Sequence, residues 1–140
     1  MNTSFDKIIK FVLDEEGGYV NNPNDPGGET NYGISKRQYP NVDIRGLSRD
    51  KAVEIYKKDY WEKIQGDSLP YPMDMCAMDT AVNMGVASAT DILRANSDYR
   101  DFLLERIDRY LGIVLRRPAS KEFFRGWITR VNRLRKLCRG

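Results

Sequence analysis

The residues best suited to acid–base chemistry sit close together near the start of the chain. Glu15 and Glu16 precede Gly17-Gly18-Tyr19, and Asp25, Glu29 and Thr30 follow within Asn22-Pro23-Asn24-Asp25-Pro26-Gly27-Gly28-Glu29-Thr30-Asn31-Tyr32-Gly33-Ile34. The 140 residues contain no histidine, which removes the usual general base, the usual Zn ligand and any Ser-His-Asp triad. Acid–base work therefore falls to carboxylates. Cleaving a glycosidic bond needs one protonated carboxyl to serve the leaving oxygen. A second group must manage charge at the sugar or activate water on the other face. The donor works best when its ionised form is disfavoured, and both burial and the carbonyl end of a helix would do this to Glu16. The same residues also have a plain structural reading, with Gly-Gly as a helix cap and Asp-Pro-Gly-Gly as a turn.

Placing Glu16 is the task of the first helix. Phe5, Ile8, Ile9, Val12 and Leu13 recur at helical spacing, and the pattern predicts a helix that ends at Gly17-Gly18 with Glu15 and Glu16 on its last turn. Glu15 reads as a solvated surface charge. Residues 17–33 read as an ordered Gly/Asn/Pro-rich loop, with Tyr19-Val20 and Tyr32-Gly33-Ile34 as strand fragments. Ser35-Lys36-Arg37-Gln38 fits a capping box opening a short helix before Pro40. Ser48 caps a helix expected to run to about Ile64. After the linker Leu69-Pro70-Tyr71-Pro72, the segment Met73 to Met84 is apolar on nearly every face, which marks a buried central helix ended by Gly85. Further helices are expected from Ser88 to about Ala95, from a cap at Ser97 or Asp98 onward, and from Ser120 to the C-terminus. The class is mainly α with at most a small β element.

Length fits one domain over residues 1–140. Apolar residues at 41% and charged residues at 31% read as globular, and no apolar run approaches a membrane span. The first residues lack the layout of a secretory signal, so synthesis in the cytoplasm is expected. Cys76 and Cys138, far apart in sequence, read as reduced thiols, with Cys76 in the core. Charge is uneven. Residues 116–140 carry nine Lys and Arg against one acid, Glu122, and the rest of the chain is net acidic. A basic final helix on an acidic body points to an anionic partner.

The segment from Glu16 to Ile34 resembles the signature of glycoside hydrolase family 108, the phage-endolysin type of N-acetylmuramidase with a lysozyme-like fold. Tyr60-Trp61 and Ala81-Val82-Asn83-Met84-Gly85 resemble that family too. Phe124 to Leu134 is similar to the end of the peptidoglycan-binding region that usually completes such proteins. Residues 98–140 would then be the end of a shortened version of that region, because the stretch between Gly85 and Arg100 is compressed.

The resemblance implies that Glu16 is the catalytic acid of a muramidase cutting between N-acetylmuramic acid and N-acetylglucosamine, without metal or cofactor. The spacing is also similar to the Glu, eight residues, Asp, then Thr pattern of phage-type lysozymes. By that analogy Asp25 and Thr30 lie across the scissile bond and position water for inversion. The Asp-to-Thr interval is one residue shorter here, and Glu29 competes as the second carboxylate or else pairs with a nearby Lys or Arg. Tyr32, Tyr60 and Asn83 are candidates for a sugar groove, through aromatic packing on pyranose faces and amide bonding to N-acetyl groups. The expected partner is peptidoglycan, met by a monomer in the periplasm or wall during phage or prophage lysis. An anionic envelope contact through the last helix would add to it. Two rival readings stand: a catalytically inactive wall-binding module, and a nucleic-acid-binding protein using the basic helix. Against the second, the body is acidic and no recognised nucleic-acid motif is present.

Overall fold

Phe5, Ile8, Ile9, Val12 and Leu13 form the buried face of α1 (Thr3–Glu16). Burial of this kind contributes about 1.5–3 kcal/mol for each large aliphatic side chain. The computed structural model describes residues 3–24 and 27–139. Gly17, with φ +78°, ends α1 by donating its N–H to the Leu13 carbonyl at 3.1 Å. Asp25 lies outside the described residues.

A small antiparallel hairpin follows, with β1 (Thr30–Asn31) paired to β2 (Ile34–Ser35). Its two-residue turn, Tyr32-Gly33, has positive φ at both positions (53° and 80°), the geometry that matches the twist of a tight hairpin. The strand fragments expected here are thus corrected. Tyr32 and Gly33 make the turn, and of Tyr19-Val20 only Val20 pairs, in an isolated bridge to Thr30. The hairpin is tied to the following loop where Asn31 Nδ2 donates to the Ile44 carbonyl at 3.0 Å. No helix opens at Ser35. Its Oγ does accept from the Gln38 amide at 3.2 Å, but Ser35 belongs to β2 and the chain makes only a turn before Pro40.

Ser48 caps α2 (Arg49–Tyr56), its side chain accepting from the Lys51 amide at 3.1 Å. The helix does not continue regularly to Ile64. A π-helical turn, Lys57–Trp61, widens it and delivers Trp61 to the core at 1% exposure. The Trp61 indole donates to Asp67 Oδ1 at 3.0 Å, and Gly66 lies so close to the ring that a Cβ would fall 2.3 Å from it.

The centre of the molecule is α3 (Met73–Met84), buried from Met73 through Ala81. Around it pack α1, α4 (Val86–Ala95), α5 (Tyr99–Arg116) and α6 (Lys121–Cys138). Gly85, with φ +101°, separates α3 from α4, which starts at Val86 rather than Ser88. Asp98 caps α5 through the Arg100 amide at 2.7 Å. Buried residues from α1 through to Val131, Leu134 and Cys138 of α6 form one continuous core. Among the described residues no helix is long and apolar enough to cross a membrane.

Candidate active site

The end of α1, the hairpin turn and α6 converge on Glu16. The apolar face of α1 is locked into the core, so its last turn is fixed and the Glu16 side chain is left 23% exposed. One carboxylate oxygen, Oε1, accepts from Arg130 Nη1 at 2.9 Å. The other, Oε2, lies against the hairpin, and a Cβ on Gly33 would fall 2.8 Å from it and 2.7 Å from the Tyr56 hydroxyl. Glycine at this position thus does two things. It adopts the left-handed turn, and it leaves room for the carboxylate.

Arg130 is itself held. Its Nη2 donates to Asp79 Oδ1 at 2.8 Å and its Nε reaches both oxygens of Asp79 at 3.2 Å. Asp79 is completely buried on α3 and also accepts from Arg106 Nη1 at 2.8 Å. Burial opposes the charge on Asp79, but the two guanidiniums outweigh it and hold its carboxyl below the usual carboxylate range. Arg106 continues the chain of contacts to Thr80 at 3.1 Å and to the Tyr110 hydroxyl at 3.0 Å, and Tyr110 donates to Asn83 Oδ1. A single polar network thus runs from Asn83 through α5 and α3 to Glu16.

Glu15 is not a solvated charge. Its side chain is 13% exposed, and Arg133 grips it with bonds of 2.8 and 3.1 Å. Two arginines of the basic helix are therefore spent on the last turn of α1.

Of the residues singled out from sequence, Glu16, Tyr32 and Tyr60 are brought together. The Tyr32 carbonyl accepts from the Tyr56 hydroxyl at 2.6 Å, and Tyr60 packs on Tyr56 with ring centroids 5.4 Å apart. Burial first, and then the Glu16 charge, pushes the Tyr56 hydroxyl well above its ordinary pKa. Tyr60 is raised by burial, Asp59 and Glu16 in that order. Asn83 is linked to Glu16 only through the far end of the network. There it lines a cleft of about 290 Å³ with Met84, Tyr110, Ile113 and Trp127, and Trp127 stacks on Tyr110 at 4.8 Å. Thr30 sits on β1, half-buried and paired with Ser35 and Val20. Glu29 stands beside it, and its carboxylate accepts from the Tyr19 hydroxyl at 2.6 Å. That tyrosine takes the place of the Lys or Arg expected to hold it.

Arg130, Asp79, Arg106, Tyr56 and Gly33 were not among the expected site residues. The signal for the charged three was present: each interrupts an otherwise apolar helix face, where a charge must find a partner. A larger apolar cavity, about 460 Å³, lies between α5 and α6. It has no carboxylate among its lining residues.

The fold is mainly α and lysozyme-like, with Glu16 at the end of α1 set against the Gly33 turn. Residues 9–85 match the family Glycosyl hydrolase 108, and the chain belongs to that family. Membership implies a glycoside hydrolase acting on peptidoglycan. The solved structure of SagA from Brucella abortus is similar throughout, with a TM-score of 0.77 and 29% sequence identity over 95% of this chain and 92% of that one. No curated protein matches the chain.

Proposed function

We propose that the chain is an N-acetylmuramidase in which Glu16 protonates the glycosidic oxygen between N-acetylmuramic acid and N-acetylglucosamine. The observation that carries this reading is the asymmetric hold on Glu16, with Oε1 anchored by Arg130 at 2.9 Å and Oε2 set against the Gly33 turn. Arg130 works against the burial and helix-end effects, because a neighbouring guanidinium favours the carboxylate over the acid; what it contributes is a fixed orientation and a counter-charge once the proton has gone. Asp25 and Thr30 take the opposite face, orienting water for attack with inversion, and Glu29 stays on the loop wall with Tyr19. Tyr32, Tyr60 and Asn83 contact the sugars. Peptidoglycan lies outside the cytoplasm, so the enzyme acts in the periplasm or wall. Phage or prophage lysis is the setting suggested by the resemblance of the Glu16–Ile34 segment.

Mass spectrometry of fragments released from purified peptidoglycan tests the reaction. The wild type is expected to release fragments with muramic-acid reducing ends, and Glu16→Gln to lower that rate by about 10²–10⁴-fold, the usual contribution of a general acid, while folding normally. A folded wild type that pellets with the wall but releases nothing would replace the enzyme with a wall-binding module.

A further inference from the structure

Cys76 and Cys138 lie 62 residues apart in sequence, yet their Sγ atoms meet at 3.4 Å in a thiol–thiol hydrogen bond. They are the chain's only cysteines, so no other intramolecular pairing competes. Cys76 sits on α3, fully buried, and Cys138 is the last residue of α6, with 5% exposure. Neither touches Glu16, and the hydrolase mechanism uses neither.

We propose that Cys76 and Cys138 form an intramolecular disulfide that staples the end of α6 to α3 when the chain meets an oxidising compartment. Only the compartment rests on the peptidoglycan reading, since the wall lies where disulfides persist. The sulfurs must approach by roughly 1.4 Å to reach bonding distance. Because Cys138 ends its helix, side-chain rotation and the last turn of α6 can supply that movement while α3 stays packed. The contact, in which either thiol can donate, lowers the pKa of Cys138 against the effect of burial and, together with burial, raises that of Cys76. Cys138, at 5% exposure against none for Cys76, is the sulfur that an outside disulfide reaches first.

The oxidant is a second disulfide, either a small molecule or a disulfide-bearing oxidase. The Cys138 thiolate attacks one of its sulfurs and expels the other as a thiolate, leaving a mixed disulfide. Cys76, on losing its proton, attacks Cys138 Sγ and expels the second thiolate. Two thiols are oxidised, one disulfide is reduced to two thiols, and the two protons pass to the leaving groups. The consequence is mechanical. Arg130 lies eight residues before Cys138, about 12 Å along α6, so the bond would anchor the helix that holds Arg130 on Glu16.

The experiment uses the reduced full chain exposed to oxidised glutathione, then denatured, alkylated and weighed. A monomer with no alkylated cysteine and no retained glutathione is expected. It should melt roughly 10 °C above the reduced form, as closing a loop of this length implies. Cys138→Ser should abolish both changes, while Glu16→Gln should leave both intact. Alkylation of both thiols, a persistent glutathione adduct, a cross-linked dimer, or equal melting of the two forms overturns the proposal. If the bond forms and the wild type cleaves no peptidoglycan, the staple stands and only the hydrolase reading falls.

Discussion

Glu16 depends on a neighbour with no side chain. At Gly33 a methyl group would collide with Glu16 and with Tyr56, and the backbone there is left-handed. The left-handed conformation alone costs an L-residue about 1–2 kcal/mol. Gly33→Ala should therefore lower stability by at least that amount. It should also reduce glycan cleavage tenfold or more, since small displacements of a catalytic group are costly, by about 10²-fold for 1 Å. Gly18→Ala is the control: a Cβ there meets nothing within 4 Å, and its φ is not left-handed. It should keep activity and gain up to about 1 kcal/mol from a stiffer unfolded chain. Thermal melts and turnover on purified peptidoglycan check the pair, and equal activity in both variants would remove Gly33 from the site.

Among the elements, α1 and α3 were readable from periodicity, and Ser48, Gly85 and Asp98 mark helix boundaries as their local chemistry dictates. The π turn at Lys57–Trp61 was not readable, because it depends on Trp61 finding its slot beside Gly66. The hairpin register was missed because pairs this short carry no alternation. The ion network was half readable. Asp79 sits in a helix buried on all sides, and such a carboxylate demands cations. Its partners, however, lie 27 and 51 residues further on, and no local pattern names them. Removing the charge tests how far α3, α5 and α6 rely on it. Asp79→Asn leaves Arg106 buried without a counter-ion and should cost about 3–5 kcal/mol, measured by urea denaturation. A loss under about 1 kcal/mol would mean that the arginines find water or other partners instead.

At the scale of the whole molecule, the acidic body and basic C-terminal helix are drawn together by folding. Arg130 and Arg133 reach back 114 and 118 residues to Glu16 and Glu15, so part of the charge imbalance acts as a clamp between the two ends of the chain. Such a clamp has a pH signature. Asp79 has a depressed folded pKa, so its contribution is complete above the unfolded value near ~4 and is lost as pH falls through the folded value. Asp98, held at about 2 by Arg100, follows the same sign but its side chain is 40% exposed and adds little. Asp74 is raised by burial, so its contribution has the opposite sign: present below its unfolded value and lost as pH rises through the folded one. The melting temperature should therefore hold, or rise slightly, as pH drops toward ~4, and then fall steeply below it as Asp79 is forced to protonate between two arginines. Circular-dichroism melts from about pH 7 to pH 2 measure this, with Asp79→Asn expected to show a shallower acid limb. A wild-type melting temperature that stays level through the whole acid range would mean that the buried carboxylate does not couple α6 to the body.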